Sequence, residues 1–262
     1  MLLDTCLTVQ YRGRPSVLDQ LRLAIQPGEI VGLAGESGSG KSTLALSLLR
    51  LHESGATLTG RIGFNGTDLL RLPPSAMRAI RGRDIALVPQ SPLQSLNPCL
   101  RIGAQLHEAW HVHQPSRDGA ERIRQALADA TLPTSADFLR LFPHQLSVGM
   151  AQRVLIAMAV LHRPKLLIAD EATSALDLIT QSEILALFRR LSHAHGAALL
   201  FITHDLAAAG DLCARIGILH RGAIVEFAPA EEIFHHPTHE YTRRLVAALP
   251  AQLRRPPVTA TT

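Results

Sequence analysis

The sequence predicts an α/β protein whose central sheet is mixed but largely parallel. Apolar runs of strand length recur at Ile30–Ala34, Ile85–Val88, Leu166–Ala169, Leu199–Thr203 and Ile216–Leu219. Longer stretches with helical periodicity separate them, and strands that read as continuous hydrophobics are buried on both faces, as in parallel sheets. With 262 residues the chain can bury a substantial interior.

The N-terminal segment breaks this pattern. Residues 2–24 favour antiparallel strands that lead into a turn at Pro27-Gly28-Glu29. The start lacks the basic region and long apolar run of a signal peptide. The longest apolar stretches, such as Val154–Leu161, are far shorter than the ~20 residues that cross a bilayer. We therefore expect any membrane role to be peripheral.

The first strand of the parallel part runs into a glycine-rich loop, and helix-forming residues continue to Leu51. The loop reads Gly35-Glu36-Ser37-Gly38-Ser39-Gly40-Lys41-Ser42-Thr43. Its glycines let the backbone curl so that N–H groups and a helix N-terminus face phosphate oxygens. Lys41 would bridge the β- and γ-phosphates of ATP, and Ser42 would give its hydroxyl to Mg²⁺. The alternative is a Gly/Ser turn before a helix.

A helical insertion is predicted for residues 91–146, where no strand pattern occurs. Ile102–Val112 and Ala120–Ala130 have helical periodicity, and prolines punctuate the segment. The strand after it ends in Asp170 and Glu171. Asp170 would hold the Mg²⁺ shell through water, and Glu171 would polarise the attacking water as a general base. Alone, such a pair is often only a strand leaving the core.

The C-terminal part predicts a hairpin and a short helix. Arg221-Gly222 separates two apolar runs as a turn, and Glu231–Phe234 is typical of a helix. The tail, residues 250–262, contains Pro256-Pro257 and ends in small polar residues, so we expect it to be disordered.

One further segment resembles a family motif. Leu146-Ser147-Val148-Gly149-Met150-Ala151-Gln152-Arg153 resembles the LSGGQ signature of ATP-binding cassette (ABC) proteins. In that family the signature binds the γ-phosphate of ATP held by the opposite subunit. The other family motifs follow in the expected order: Tyr11 resembles the aromatic residue that stacks on adenine, Gln90 the Q-loop, Ser174–Asp177 the D-loop and His204 the switch histidine.

The resemblance covers nearly the whole chain and implies a P-loop NTPase core with an inserted helical subdomain. The core would comprise residues 1–90 and 147–249, and the insertion residues 91–146. Catalysis would fall to Glu171, His204 and Gln90, with Gln90 also on Mg²⁺. Ser147, Gly149 and Asp177 would contact nucleotide across a pair of subunits.

Finer resemblance points to the dipeptide, oligopeptide and nickel importer group. It is carried by residues 89–98, 143–147 and 233–242. This implies a partner ATPase subunit, commonly a different chain, beneath two membrane permease subunits at the cytoplasmic face of the bacterial inner membrane. An extracytoplasmic solute-binding protein would act indirectly. The chain lacks the C-terminal cysteine cluster of some members, so it is most similar to the short nickel-type subunit.

Two departures and several alternatives accompany this interpretation. Val148 replaces the first signature glycine and Ala172 a common proline. We hypothesise that the signature is weakened but usable, or that it serves the less active half of an asymmetric pair. His204 could instead be a core histidine, and Tyr11 an edge-strand tyrosine. The histidine groups 107/111/113 and 235/236/239 lack carboxylate or thiol partners at ligand spacing.

The composition argues against nucleic acid as a partner. The net charge of +4 is spread along the chain, and it has only seven Phe, two Tyr and one Trp to stack on bases. Three scattered cysteines show no CxxC spacing. The rival is a soluble cassette ATPase that acts on nucleic acid or ribosomes, a class that typically has tandem cassettes, coiled coils or zinc modules.

Overall fold

The computed structural model describes residues 1–13, 15–52, 55–115 and 118–250. Its strands, in chain order, are β1 (Leu3–Tyr11), β2 (Ser16–Ile25), β3 (Ile30–Ala34), β4 (Ala56–Phe64), β5 (Thr67–Asp68), β6 (Ile85–Val88), β7 (Leu166–Asp170), β8 (Ala198–Thr203), β9 (Arg215–His220) and β10 (Ala223–Pro229). Its helices are α1 (Lys41–Leu48), α2 (Pro74–Ile80), α3 (Pro92–Ser95), α4 (Ile102–His111), α5 (Ala120–Asp129), α6 (Ala136–Leu139), α7 (Val148–Val160), α8 (Leu178–His195), α9 (Leu206–Leu212), α10 (Ala230–His235) and α11 (Glu240–Ala248).

The chain divides into two compact units. The first unit is formed by Met1–Met77 and the described part of Ala198–Thr262, and the second by Arg78–Ala197. The expected disordered tail falls outside the described residues from position 251 onward.

The first unit contains an antiparallel sheet with the strand order β2-β1-β4-β5. Strand β1 pairs with β2 from Leu3↔Ile25 and with β4 from Leu3↔Phe64 to Tyr11↔Ala56. Alternate side chains of β1 are buried, as a strand with one face on the core requires. The predicted antiparallel N-terminal part is therefore confirmed.

The same unit contains the parallel strands that carry the glycine-rich loop. Strand β3 pairs in parallel with β8 on one side and β9 on the other, and all five of its residues are buried. Strand β10 pairs antiparallel with β9 through Arg221 and Gly222, whose φ angles are 50° and 83°. Two positive φ angles are what a two-residue type I′ hairpin requires. The sheet is thus mixed and largely parallel, as predicted.

The second unit pairs β6 with β7 in parallel, from Ile85↔Leu166 to Val88↔Ala169. Between these strands, the described part of residues 91–146 contains helices α3 to α6 and no strand. Helices α3, α4 and α5 pack against α7. In the described part of the whole chain, no helix is both long and apolar enough to span a bilayer.

Candidate functional site

The loop between β3 and α1 contains glycines at which any side chain would collide with neighbouring atoms. Gly40 has φ 108°, and a Cβ there would lie 2.6 Å from Leu18 Cδ2 and 3.0 Å from the Val17 carbonyl oxygen. A Cβ on Gly35 would lie 2.3 Å from the Leu219 carbonyl oxygen. The chain can therefore curl tightly here only because these positions lack side chains.

Lys41 is buried at the start of α1, with 4% of its surface exposed. Its Nζ donates to the carbonyl oxygens of Gly35 at 2.9 Å and Glu36 at 2.8 Å. Ser39 Oγ is also buried and has no hydrogen-bond partner among the described residues. A buried ammonium held by carbonyl dipoles and a buried hydroxyl suit a ligand rich in anionic oxygens, since charge-assisted hydrogen bonds are stronger.

The first turn of α1 adds further donors. Gly40 stands at the N-cap and supplies no side-chain cap, and the turn carries no acidic residue. Backbone N–H groups at an uncapped helix start, with the positive end of the helix dipole, bind phosphate. Ser42 is exposed in this turn, and Thr43 follows it. These features fit the triphosphate of ATP.

His204 lies exposed at the end of β8. The backbone is fixed on both sides of it, because Asp205 N donates to Thr203 Oγ1 at 2.9 Å and Asp205 Oδ1 accepts from Ala208 N at 3.1 Å as the N-cap of α9. His204 is therefore not a core histidine, and its ring is presented from a rigid junction.

Tyr11 is the last residue of β1, a strand that lies between β2 and β4. The edge-strand alternative for this tyrosine is therefore wrong. Tyr11 borders an open hollow of about 410 Å³ that is also lined by Arg12 and Ala56. A half-buried aromatic ring beside an open hollow is able to stack on a planar ligand such as a nucleobase.

In the second unit, Asp170 ends β7 and Glu171 follows with φ 48°. A left-handed backbone is uncommon for a residue with a side chain, and such conformations concentrate at functional sites. Gln90 Nε2 donates to a carboxylate oxygen of Glu171 at 2.9 Å. The structure thus joins two predicted catalytic residues that are 81 positions apart in the chain.

The signature lies at the start of α7. Ser147 is the N-cap, and its Oγ accepts from Met150 N at 3.2 Å. Val148 is the first helical residue and is 37% exposed. The Val148 side chain is therefore exposed at the N-terminal end of α7.

Asp177 caps α8, and its neighbour Thr180 links it to the signature. Asp177 Oδ1 accepts from Thr180 N at 3.0 Å, and Thr180 Oγ1 donates to Asp177 Oδ2 at 2.7 Å. These hydrogen bonds from Thr180 lower the pKa of Asp177. A Cβ on Gly149 would lie 2.9 Å from Thr180 Cγ2. Sequence reasoning missed Thr180, and no local pattern identifies it.

Tyr241 is a second residue that sequence reasoning missed. Its hydroxyl accepts a hydrogen bond from the backbone N–H of Glu36 in the glycine-rich loop, at 3.3 Å. The sequence around it contributes to the importer resemblance, but nothing in that pattern indicates contact with the loop.

Comparison with known proteins decides the family. The sequence profile of the ABC transporter family matches residues 18–174. The chain belongs to the ABC transporter family. It is similar, at 42% identity over 252 residues, to the peptidoglycan transport ATP-binding protein YejF of Agrobacterium fabrum, covering 94% of this chain and 46% of that protein. It is also 42% identical over 236 residues to the dipeptide transport ATP-binding protein DppD of Escherichia coli, covering 89% of this chain and 72% of that protein.

Solved structures of ABC cassettes share the fold. The dimeric ABC transporter cassette MJ0796, in a post-hydrolysis state bound to ADP and Pi, superposes with a TM-score of 0.76 at 28% identity. The match covers 87% of this chain and 99% of that one. The predicted P-loop NTPase fold is thereby confirmed. As an ABC ATPase, the chain binds and hydrolyses ATP.

Proposed function

We propose that this ABC ATPase is the energy-supplying subunit of an importer for peptide-like solutes. The observation that carries the proposal is the hydrogen bond from Gln90 to Glu171. Gln90 directly precedes the helical segment 91–146, and Glu171 is the proposed hydrolytic base. A direct contact between them gives the helical segment a route by which to affect hydrolysis, as transport coupling requires.

In the first unit, the loop and its neighbours would hold the nucleotide. Lys41 would exchange the carbonyls of Gly35 and Glu36 for the β- and γ-phosphates, and Tyr11 would stack on adenine. His204 would contact the γ-phosphate. Further phosphate contacts would come from the rest of the loop: Ser37, Gly38, Ser39, Gly40, Ser42 and Thr43.

Mg²⁺, when bound with the nucleotide, would neutralise charge that develops on the phosphates. Ser42, Gln90 and Asp170 offer the oxygen donors that this cation prefers. Among the residues that the structure describes, no group of three or more His, Cys, Asp or Glu side chains is placed to hold a metal.

In the second unit, Glu171 would accept the proton of the attacking water. Its hydrogen bond with Gln90 would orient the carboxylate, and a general base must lie within hydrogen-bond reach of the proton that it accepts. Ser174 supports it, because its N–H and Oγ donate to the Glu171 carbonyl at 3.1 Å and 2.9 Å.

The assembly we propose pairs this chain with a second ABC ATPase subunit, commonly a different chain. Ser147, Gly149 and Asp177 would then face the nucleotide held by the partner, and the dimeric cassette MJ0796 supports such pairing. Residues 1–90 and 147–249 would form the core, and the inserted subdomain 91–146 would help to receive a helix from one of the two membrane permease subunits. The chain would lie peripherally at the cytoplasmic face of the inner membrane, served indirectly by a solute-binding protein.

The proposal also assigns a class of transported solute. Relatives named as dipeptide and oligopeptide transport proteins favour peptide-like cargo. Nickel and metal chelates are the alternatives that the nickel-type resemblance raises. Nothing in the described residues favours the rival class of nucleic-acid or ribosome ATPases over an importer.

The test reconstitutes the chain with its permease subunits and a solute-binding protein in lipid vesicles. We expect ATP hydrolysis to rise when the binding protein is loaded with a short peptide, and not when it is loaded with nickel. Stimulation by nickel alone would overturn the peptide assignment. Failure to associate with membrane subunits, together with tight and salt-sensitive RNA or DNA binding, would favour the rival class.

A further inference from the structure

The phenol of Tyr241, near the C-terminus of the described chain, lies against the second residue of the phosphate loop. Glu36 N donates to Tyr241 Oη at 3.3 Å, across 205 positions of sequence. Helix α11, which carries Tyr241, belongs to none of the motifs that bind or hydrolyse nucleotide in the proposed function. The contact therefore ties the loop to a segment with no other role in the site.

Three elements of the first unit fix the Tyr241 ring. It stacks on His220, the last residue of β9, with ring centroids 3.9 Å apart and planes 26° apart. His239 caps α11, and its Nδ1 accepts from Tyr241 N at 3.1 Å. Glu226 of β10 accepts from Thr238 N at 2.8 Å and His239 N at 3.0 Å. Only 8% of Tyr241 is exposed, so the hydroxyl is held at a defined place.

Glu36, whose N–H is bonded to Tyr241, also accepts two hydrogen bonds from other residues of the loop. Its carbonyl accepts from Lys41 Nζ at 2.8 Å and from Ser39 N at 3.2 Å. When Lys41 turns to a phosphate, the loop loses the bonds from Nζ to Gly35 and Glu36. The bond from Glu36 N to Tyr241 Oη does not involve Lys41, so the exchange of Lys41 partners does not itself break it.

We propose that Tyr241 is a positioning residue that preorganises the phosphate loop for nucleotide through its hydroxyl. By fixing the Glu36 peptide, it keeps the loop in its curled form when Lys41 leaves the carbonyls, so less conformational freedom is lost on binding. The inference rests on the proposed role of Gly35–Thr43 in holding the triphosphate. It concerns affinity for nucleotide and leaves the hydrolytic step to Glu171.

The protonation state of the phenol suits this role. Burial raises the pKa of Tyr241, and the nearby Glu36 carboxylate adds to that effect against the opposing hydrogen bond from Glu36 N. The hydroxyl therefore stays neutral at physiological pH and remains a constant acceptor for the Glu36 N–H.

The test compares Tyr241→Phe with Thr5→Val in the full-length protein. Tyr241→Phe keeps the ring on His220 and removes only the hydroxyl. Thr5 is buried in the same unit, and its Oγ1 donates to the Leu23 carbonyl and accepts from Leu23 N between β1 and β2. Thr5→Val therefore removes one buried hydroxyl that has no hydrogen bond to the loop or to α11 and serves as the matched control. Affinity is measured by displacement of a fluorescent ATP analogue with Mg·ATP, and stability by thermal unfolding without nucleotide.

We expect Tyr241→Phe to raise the Kd and KM for Mg·ATP about three- to tenfold, the range of one neutral hydrogen bond. The kcat at saturating ATP should change less than about twofold. Thr5→Val should leave Kd within about twofold of wild type. Unchanged Kd in Tyr241→Phe, or an equal rise in Thr5→Val, would overturn the inference. A wild-type protein that does not bind ATP would instead overturn the proposed function on which it rests.

Discussion

Val148 stands at the signature position where the resemblance to ABC proteins implies a glycine. It occupies the first position of α7 and is exposed, so the helix gains little packing from it. A β-branched side chain there adds bulk where the partner's phosphate would dock. We predict that Val148→Gly raises the ATPase rate of the assembled complex about three- to tenfold, which corresponds to ~0.7–1.4 kcal/mol of relieved crowding. An unchanged rate would contradict the hypothesis of a weakened signature.

The close approach of Gly149 to Thr180 predicts the effect of a substitution on stability. Alanine in a helix is usually more stable than glycine by about 0.5–1 kcal/mol, but here its Cβ would lie 2.9 Å from Thr180 Cγ2. That methyl group cannot swing away, because Thr180 Oγ1 is bonded to Asp177. We predict that Gly149→Ala lowers the free energy of unfolding by about 1–2 kcal/mol.

The double variant Gly149→Ala/Thr180→Ser should recover that loss. Serine keeps the hydroxyl for Asp177 and lacks the methyl group that would clash. Urea unfolding of both variants and of Thr180→Ser alone provides the measurement. If the serine substitution does not restore the stability of Gly149→Ala, the contact between the signature and α8 is not the cause.

Local sequence patterns identify some of these residues and miss others for a physical reason. Lys41 and Ser42 lie within the contiguous segment Gly35–Thr43, so the spacing of residues in that segment is enough to predict that they act together. The contact of Tyr241 with Glu36 joins positions 205 apart, and that of Thr180 with Gly149 joins two helix starts. Such contacts are set by packing between elements, which no local periodicity encodes.

At the scale of elements, strands buried on both faces were the most predictable. The observed bounds of β3 and β6 equal those predicted. In both strands the buried segment begins and ends with the apolar run, so the run alone marks the strand. Strand β4 was missed, although it pairs with β1 along its whole length. It contains Gly60 and Gly63, and its first six residues are mostly exposed, so neither alternation nor an apolar run identifies it.

The packing of α4 against the turn after α7 predicts a pH dependence. The His162 ring stacks on Trp110 at 5.1 Å with planes 6° apart, and its Nε2 lies 3.1 Å from the Ala109 carbonyl oxygen. Burial lowers the pKa of His162 below its ordinary value of 6.5. The unfolded chain therefore binds this proton more readily than the folded one, and stability falls as pH drops below 6.5.

His162→Phe should weaken this pH dependence. Phenylalanine preserves a ring against Trp110 but does not titrate, so the difference in unfolding free energy between pH 7.5 and pH 5.5 (roughly one unit either side of the ordinary value) should shrink. It should not vanish, because burial lowers the pKa of His52 in the same direction. Urea unfolding at the two pH values measures it, and an unchanged difference would show that His162 does not contribute.

At the scale of the whole molecule, the chain distributes its chemistry over two compact units. The first contains the phosphate loop, Tyr11, Tyr241 and His204, and the second contains Gln90, Glu171 and the signature. This division explains why the sequence predicts the two chemistries separately, as a loop after one buried strand and an acidic pair after another. The order of the motifs along the chain is the sequence feature that joins the two groups of residues into one ATPase.

The most direct test of the account is the rate of ATP hydrolysis by Glu171→Gln beside wild type, with Mg·ATP affinity measured on the same samples. Glutamine preserves the shape of the side chain and cannot accept the proton of the attacking water. We predict that hydrolysis at this site falls at least about 100-fold, while Kd for Mg·ATP stays within about twofold. Undiminished turnover with intact binding would contradict the assignment of Glu171 as the base and, with it, the coupling route through Gln90.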